Sequence, residues 1–396
     1  MRLLLIHQNF PGQFLPLLPT LFEAGHQVLA IGSRPCPQAL QQRFPGLIYS
    51  CAGGDPGGEQ PRLLAARRHQ AQWEQGERVE RACRALRAAA GSPDLILGHP
   101  FWGCLLQLHR VFPGVPLVPL LELDLFGLTG LPALDQWAEL LAIRQMAHGL
   151  CSSPFQRSTY PAALHSRITV IHEGVDTERC SPQPLARLGL GQGRVIDGSV
   201  PVLSFVSRQL EPLRGFDTFM RALPALLASH PCLEVVICGR DGPGYGATPT
   251  QAATWREQLL GELAGRLDPR RLHLLGAIPH GQLLALFRVS WVHVYASEPW
   301  VLSWSLLEAM ACGAAVVATD TAAVRDAVDP GREALLVPRR DPQALAQAVS
   351  SLLHQPHTSA PLRAAARRRI LERFDQRRCS QQRLQLLEAV AAGQLR

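Results

Sequence analysis

Two arginines in one loop give the clearest sign of a ligand site in the sequence. Arg208 and Arg214 lie in segment 207–216, which follows a predicted strand and precedes a predicted helix. Planar guanidinium groups pair with the oxygens of a diphosphate, and a helix N-terminus adds backbone N–H donors. The segment therefore predicts a diphosphate site, although two arginines in a solvated loop would give the same pattern.

A second segment, 297–313, places the carboxylate of Glu308 within a predicted helix that is apolar on both sides of it. A buried carboxylate needs a partner, because an unpaired buried charge is costly. Ribose hydroxyls are a suitable partner, since one carboxylate accepts two hydrogen bonds at once. The alternative is an amphipathic helix on which Glu308 faces solvent.

Loops after two strands of the first half also carry candidate residues. His99 follows the predicted strand 94–97, and Gly12 lies in the loop after the first strand. Such a histidine can contact a ligand or cap a helix, and a glycine lets backbone approach a phosphate or a sugar. Gly12 alone is not the G-x-G-x-x-G pattern of dinucleotide sites, which weakens an oxidoreductase interpretation.

Two loops of the second half are weaker candidates. Gly239 and Ile278 lie in segments 239–242 and 276–280, after two further predicted strands. Either loop can contact a nucleotide base through its backbone, and either can be a plain turn. For Gly239 we favour the turn.

Strands and helices alternate along the whole chain, and they must position these loops. Apolar runs predict strands at 3–6, 27–31, 94–97, 116–121, 168–171, 202–206, 233–238, 272–276, 292–295, 315–318 and 334–337. Helical spacing predicts helices at 14–24, 77–90, 217–229, 305–312, 341–353 and 361–390. This alternation predicts an α/β protein with parallel, doubly wound sheets, which bind ligands at the carboxyl ends of their strands.

The length of 396 residues suits two Rossmann-like domains. Segment 183–199 is rich in glycine and has no clear periodicity, so we predict a linker there. The predicted domains are residues 1–182 and 200–372, facing a central cleft, and a final helix occupies 373–396.

Composition narrows the class of protein. Hydrophobic residues make up 47% and charged residues 18% of the chain, which is typical of a globular protein. The start lacks the features of a signal peptide and no apolar run is long enough to cross a bilayer, so we expect a cytoplasmic protein. The net charge is +7, and we expect no nucleic-acid partner. The ten cysteines form no C-x-x-C pair, so we expect reduced thiols and no metal site.

Taken together, the motifs resemble those of the family 4 retaining glycosyltransferases, within the glycosyl transferases of group 1. The resemblance covers nearly the whole chain and rests on GH at 25–26, HEGVDTERCSP, SRQLEPLRGFDTFMRALP, LLGAIPH, SLLEAMACGAAVVATDTAAVRDAV and GREALLVP. It implies the GT-B fold, with a C-terminal helix that returns to the N-terminal domain. It also implies a bacterial enzyme that moves a sugar from a nucleotide-sugar donor to an acceptor glycan, lipid or small molecule with retention of configuration. No cofactor and no obligatory metal would take part.

The resemblance implies a role for each matching residue. Arg208 and Arg214 would bind the donor diphosphate, while Glu308, as the second Glu of an E-x7-E motif, would hold the ribose. His99 would contact the donor sugar near the reacting carbon, and Gly12 would lie beside the phosphates. Further donor-binding positions would be Gly239, Ile278, Glu298, Trp300, Val301, Leu302 and Ser303.

Two departures from the family pattern affect these assignments. Arg214 replaces a lysine and lies six residues after Arg208 (214 − 208 = 6) instead of five. The first Glu of E-x7-E should occupy position 300 (308 − 8 = 300), which is Trp300, and Glu298 comes two residues too early. Either Glu298 reaches the donor sugar through a bulged loop, or Trp300 stacks on the sugar instead.

Other functions remain open on the sequence. A sugar-nucleotide epimerase shares the two-domain architecture, and a catalytically impaired nucleotide-sugar-binding protein would explain Trp300. An oxidoreductase is disfavoured by the missing glycine pattern. The last helical stretch carries a run of positive charge, which is usually a solvated face but can contact the inner face of an anionic membrane. Its members are Arg363, Arg367, Arg368, Arg369, Arg373, Arg377 and Arg378.

Overall fold

The structure is a computed structural model that describes residues 1–54, 65–124, 136–191, 193–354 and 356–395. The chain forms two compact units. The first unit contains Met1–Gly174 and Gln376–Arg396, and the second contains Val175–Asp375. These limits differ from the predicted domain limits at 182, 200 and 372, because the chain leaves the first unit eight residues earlier (182 − 174 = 8).

The first unit begins with alternating strands and helices. Its strands are β1 (Arg2–Ile6), β2 (Gln27–Gly32), β3 (Ile48–Cys51), β4 (Leu95–Gly98), β5 (Leu117–Pro119), β6 (Gly149–Cys151) and β7 (Ile168–Val170). Its helices up to residue 174 are α1 (Leu18–Glu23), α2 (Gln38–Arg43), α3 (Ala65–Ala90), α4 (Leu108–Val111), α5 (Trp137–Gln145) and α6 (Pro154–Thr159). Short 3-10 turns lie at Gly12–Phe14, Phe101–Gly103 and Ala162–Arg167.

Five of these strands form a parallel sheet in the order β3-β2-β1-β4-β5. Leu3 and Leu5 of β1 face one apolar cluster, while Leu4 and Ile6 face another, and all four side chains are buried. A sheet covered on both faces needs such continuous apolar runs, which explains the sequence of β1. The strand order reverses between β1 and β4, and that is where doubly wound sheets bind their ligands.

The second unit repeats this plan. Its strands are β8 (Leu188–Gly191), β9 (Arg194–Ile196), β10 (Val202–Gln209), β11 (Glu234–Arg240), β12 (Leu272–Gly276), β13 (Val292–Tyr295), β14 (Ala315–Thr319) and β15 (Leu335–Val337). Its helices are α7 (Phe216–Ser229), α8 (Trp255–Glu262), α9 (His280–Val289), α10 (Trp304–Cys312), α11 (Ala322–Ala327), α12 (Pro342–His354) and α13 (Pro356–Arg373), with a 3-10 turn at Pro212–Arg214.

Six strands of the second unit form a parallel sheet in the order β12-β11-β10-β13-β14-β15. The order reverses between β10 and β13, whose pairing includes Phe205 with Val294. The predicted segment 207–216 covers the end of β10 and the loop after it, and segment 297–303 follows β13. The topology of the sheet therefore brings them side by side at its carboxyl edge.

The segment predicted as a linker is part of the second unit. Residues 188–196 form the antiparallel hairpin β8-β9, with Leu188 paired to Ile196. Both side chains are buried in a cluster with Val202 and Val236, so the hairpin covers part of the large sheet. The linker prediction was wrong because glycines in a tight hairpin look like glycines in a flexible connection.

The chain ends in α14 (Gln376–Ala391), which belongs to the first unit as the resemblance implied. Leu386, Leu387 and Val390 of α14 join the same apolar cluster as Leu3 and Leu5. The predicted helix 361–390 is two helices, since α13 ends at Arg373 and α14 begins at Gln376. Among the helices that the structure describes, none is long and apolar enough to cross a bilayer.

Candidate functional site

The two predicted arginines lie at the carboxyl end of β10. Arg208 is the last residue but one of that strand, and Arg214 lies in the loop after it, so the prediction of one loop for both was wrong for Arg208. The pairing of β10 with β11 shifts register between Val206 and Gln209, so the chain bulges at Arg208. The Arg208 side chain is exposed and has no hydrogen-bond or ion-pair partner among the described residues. Arg214 ends the 3-10 turn, and its Nη1 atom is buried with no partner in the described part of the chain. Two cations that the protein leaves unpaired are suited to an anionic ligand.

The arginine loop is fastened to the end of β13. Gly215 has a φ of +73°, and a Cβ atom there would lie 2.0 Å from the carbonyl oxygen of Ala296. The carbonyl oxygen of Leu213 accepts a hydrogen bond of 3.0 Å from the N–H of Glu298. The loops that follow β10 and β13 are therefore in direct backbone contact, and glycine is needed at 215 for that approach.

Glu298 does not have a free carboxylate. Its Oε2 lies 3.0 Å from Nη1 of Arg339, and its Oε1 lies 2.9 Å from Nε of Arg340. The Trp300 ring lies 5.8 Å from the Tyr245 ring, centroid to centroid, at an interplanar angle of 33°. The structure thus puts an aromatic pair at position 300, while the nearby carboxylate pairs with two arginines.

Glu308 lies on α10, and its side chain is 12% exposed, so the solvent-facing alternative is wrong. Its Oε1 contacts Nε2 of His280 at 2.9 Å, a contact that sequence reasoning missed. His280 is the first residue of α9, and the only signal for it was its place in the predicted loop 276–280. The carboxylate has one protein partner at Oε1, consistent with a second role for the group toward a ligand.

The remaining residues proposed for donor binding shape the same loops. Ser303 caps α10, and its N–H donates to the hydroxyl of Tyr295 at 2.9 Å. Leu302 packs against the core, and Val301 is half-buried. These contacts fix the path of the chain between β13 and Glu308.

Gly239 and Ile278 lie further along the carboxyl edge. Gly239 is buried, and a Cβ atom there would lie 2.8 Å from the carbonyl oxygen of Ser207 and 2.6 Å from Cδ2 of Leu210. This glycine therefore allows close packing of the arginine loop on β11. Ile278 is half-buried and packs against the apolar cluster that contains Leu188 and Ile196 of the hairpin. Contact of either residue with a base stays a prediction.

Glu211 was not singled out in the sequence, yet it organises the neighbouring loop. It is 2% exposed, and its Oε2 accepts a hydrogen bond of 2.8 Å from the N–H of Gly246. A Cβ atom at Gly244 would lie only 2.1 Å from that carboxylate. Glu211 thus holds the loop that carries Tyr245, and an isolated acid before a proline gave no signal for this.

In the first unit, His99 and Gly12 lie on adjacent loops at the strand reversal. The His99 side chain is 1% exposed, and its ring centroid is 5.1 Å from that of His7. Gly12 has a φ of +49°, and a Cβ atom there would meet the His7 ring at 2.4 Å. Trp102, 4.8 Å from His99 by ring centroids, has an unusual φ of 62°. Non-glycine residues in that region are strained and cluster at functional sites.

A chain of polar contacts connects these loops, and sequence reasoning missed its first member, His7. The Nε2 atom of His7 lies 2.7 Å from Oε1 of Gln13, and Nε2 of Gln13 donates to Oε1 of Glu122 at 2.5 Å. Burial, and then the neighbouring imidazole of His99, lower the pKa of His7 to about 3, so His7 is neutral at physiological pH.

Behind this chain lies a buried acid. Glu139 on α5 is 2% exposed and accepts hydrogen bonds from the Tyr160 hydroxyl at 2.5 Å and from Nε2 of Gln136 at 3.1 Å. Burial raises the pKa of Glu139 to about 8, helped by the negative charges of Glu122 and Asp124. Glu139 is therefore largely protonated at neutral pH.

The last helix is fixed to the first unit by a buried ion pair. Nη2 of Arg383 lies 3.1 Å from Oε1 of Glu173, and both side chains are almost fully buried. Burial alone raises the pKa of Glu173, but Arg383, His172 and the Ser152 hydroxyl outweigh it and lower that pKa to about 2. The pair connects α14 to the end of the β6-β7 sheet.

Several arginines of the terminal charge run are used inside the second unit. Arg367 donates to the carbonyl oxygens of Ala311 at 2.7 Å and Thr177 at 2.9 Å, and so caps the C-terminus of α10. Arg363 and Arg369 also donate to backbone carbonyl oxygens. The run is therefore only partly a solvated face, formed by Arg368, Arg373, Arg377 and Arg378.

All ten cysteines are free thiols, and seven of them are buried. Across residues 1–54, 65–124, 136–191, 193–354 and 356–395, no group of three or more His, Cys, Asp or Glu could hold a metal ion.

Comparison with known proteins identifies the family. Residues 200–355 match the family of glycosyl transferases group 1, and residues 24–133 and 133–180 match the glycosyl transferase family 4 group. D-inositol 3-phosphate glycosyltransferase 1 of Catenulispora acidiphila is 30% identical over 302 residues, which cover 70% of this chain and 68% of the relative. This chain belongs to the family 4 glycosyltransferases of group 1.

Other relatives align over a shorter length. D-inositol 3-phosphate glycosyltransferase of Corynebacterium jeikeium is 34% identical over 193 residues, 47% of this chain and 43% of the relative. The chain thus spans less than half the length of that relative.

Solved structures show the fold. Sucrose-phosphate synthase from Thermosynechococcus elongatus superposes with a TM-score of 0.77 at 20% identity, over 99% of this chain and 100% of that protein. Anabaena HepE in complex with UDP-glucose gives a TM-score of 0.71 at 18% identity, over 98% of this chain and 100% of that protein. The predicted GT-B fold with two Rossmann-like domains is confirmed.

Proposed function

We propose that this protein is a retaining glycosyltransferase that moves a sugar from a nucleoside diphosphate sugar to a hydroxyl of an acceptor. The observation that carries the proposal is a pair of guanidinium groups without a partner among the described residues, those of Arg208 near the end of β10 and Arg214 in the loop after it, at the strand reversal of the second unit. Diphosphate oxygens supply the bonds that these groups lack. Family membership supports the same assignment.

Each unit takes one part of the reaction in this proposal. In the second unit, Arg208 and Arg214 stabilise the charge that develops on the leaving diphosphate, and Glu308 accepts the ribose hydroxyls. In the first unit, the His99 loop receives the acceptor and contacts the transferred sugar. Neither role calls for a cofactor or a bound metal.

A UDP-hexose is the donor that we propose to test first. The structure of HepE contains UDP-glucose, and a relative is named for D-inositol 3-phosphate, a polyol phosphate. Trp300 gives the donor sugar an aromatic surface in place of a carboxylate, and aromatic rings pack well on the apolar face of a hexose. The acceptor is a glycan, a lipid or a small polyol, and cytoplasmic location with contact at an anionic membrane stays a prediction.

Nucleotide binding by arginine variants tests the diphosphate role. Arg214→Ala and Arg208→Ala should each lower the affinity for UDP roughly 10- to 100-fold, the value of a charge-assisted hydrogen bond, when measured by calorimetry. Arg270→Ala is the matched control, because Arg270 precedes β12 at the opposite edge of the sheet and is 86% exposed. Equal UDP affinity in the loop variants and the control would contradict the proposal.

One observation favours a second candidate, a protein that binds a nucleotide sugar without turning it over. Glu298 is paired with Arg339 and Arg340, and position 300 holds an aromatic ring, so no free carboxylate from either described position faces the donor sugar there. Slow hydrolysis of UDP-glucose in the absence of acceptor separates the two functions, because a binder releases no glucose. An epimerase would release a rearranged sugar, which product analysis identifies.

A further inference from the structure

The polar chain in the first unit fixes which nitrogen of each histidine carries a proton. The N–H of Asn9 donates to Nδ1 of His7 at 3.0 Å, so neutral His7 has its proton on Nε2 and donates it to Oε1 of Gln13. The amide of Gln13 is thereby oriented, with its Nε2 pointing at Oε1 of Glu122. One oxygen of Glu122 is thus occupied by the protein.

The same reasoning applies to His99. Its Nδ1 accepts a hydrogen bond from the N–H of Phe101 at 3.4 Å, which puts the proton of a neutral ring on Nε2. That Nε2 atom is buried and has no hydrogen-bond partner within the described residues. The nearest acidic atom, Oε2 of Glu122, is 3.6 Å away, too far for a hydrogen bond. A donor and an acceptor therefore face each other across a gap.

We infer that Glu122 and His99 together bind one hydroxyl group, that of the acceptor which attacks the donor sugar. A hydroxyl is the group that both accepts from Nε2–H and donates to Oε2, with its oxygen about 2.8 Å from each. The Glu122 side chain is 22% exposed, so a ligand can reach it, whereas His99 is almost fully buried. This inference rests on the proposed function and adds Glu122, held in place by His7 and Gln13, to the residues that touch substrate.

The inference is tested by exchanging the acid at position 122 and the amide at position 13, which are hydrogen-bonded to each other. In Glu122→Gln, Gln13 still donates to the amide oxygen introduced at position 122, so an NH₂ group faces His99 and nothing accepts from the hydroxyl. In the double variant Gln13→Glu with Glu122→Gln, the carboxylate introduced at position 13 accepts from His7 and from the NH₂ group at position 122. The amide oxygen at position 122 then faces His99, and an acceptor for the hydroxyl is restored.

The assay is hydrolysis of UDP-glucose, in which water takes the place of the acceptor hydroxyl. Glu122→Gln should lower kcat roughly 10- to 100-fold with the KM for UDP-glucose unchanged, and the double variant should recover most of the loss. Unfolding midpoints of both variants report any loss of fold, which the recovery would exclude as the cause.

With an active wild-type protein, three results overturn the inference. An unchanged kcat in Glu122→Gln removes the hydroxyl contact. A raised KM with unchanged kcat assigns the hydroxyl to the donor sugar instead, and no recovery in the double variant shows that the charge of Glu122 acts in another way. If wild-type protein neither binds nor hydrolyses UDP-glucose, the proposed function fails, and this inference fails with it.

Discussion

Replacing Gly215 by alanine should separate the arginine loop from β13. The new methyl carbon would lie 2.0 Å from the carbonyl oxygen of Ala296 and 2.5 Å from its carbonyl carbon. Both atoms belong to backbone at the end of a central strand, so no flexible side chain can move aside. The loop itself must shift, and Arg214 shifts with it.

The magnitude follows from two contributions. A φ of +73° costs an alanine about 1–2 kcal/mol relative to glycine. Forced repacking adds about 1–3 kcal/mol, so Gly215→Ala should lower the free energy of unfolding by roughly 2–5 kcal/mol. Gly276 is the matched control, because its φ is +66° and nothing lies within 4 Å of a Cβ atom there. Gly276→Ala should be destabilised only by the cost of the positive φ, about 1–2 kcal/mol.

Urea unfolding of wild type and both variants measures these differences from midpoints at equal slope. Calorimetry should show that Gly215→Ala has a lower affinity for UDP than wild type has, since the position of Arg214 depends on the loop. The reasoning is refuted if Gly215→Ala and Gly276→Ala unfold at the same urea concentration. It is also refuted if Gly215→Ala binds UDP as tightly as wild type does.

Three further predictions concern charge. Glu308→Gln keeps a group for His280 to contact but loses the carboxylate, so UDP affinity should fall about tenfold by calorimetry, and an unchanged affinity would remove the ribose role. Glu139 has a folded pKa of about 8 against an ordinary 4.5, so its contribution to stability is complete below pH 4.5 and is lost as pH rises through 8. When the pH is raised from about 5 to about 8.5, the free energy of unfolding measured in urea should therefore fall less in Glu139→Gln than in wild type. Equal falls in the two proteins would contradict the raised pKa of Glu139. Hydrolysis of UDP-glucose should continue at the same rate in EDTA, and a rate that needs added Mg²⁺ would overturn the metal-free mechanism.

Most of the fold could be predicted because its strands are short apolar runs between glycines and polar loops. The predicted strands 272–276 and 292–295 coincide with β12 and β13. The edge strand β3, with sequence IYSC, was missed because it is half-exposed and lacks such a run. The helical spacing of apolar residues runs without interruption over 361–390, so it concealed the break between α13 and α14. The break becomes visible only because each helix packs against a different unit.

The site was predicted only as far as single loops allow. Arg208, Arg214 and Glu308 could be found because each lies in its own motif after a strand or within an apolar helix. Their partners could not, since His280 meets Glu308 across 28 residues of sequence and Gln13 meets Glu122 across 109. Such contacts depend on strand order, which no local pattern contains.

The first unit is made of two separate stretches of chain, with the second unit inserted between them. During synthesis, Val175–Asp375 is complete before α14 leaves the ribosome. The second unit can therefore finish folding before the first unit can. Until then the first sheet lacks Leu386, Leu387 and Val390 from one face, and Glu173 has no Arg383 beside it. A nascent chain stalled before residue 376 should therefore carry one mature unit and one with an open apolar face, which makes it a natural client for chaperones.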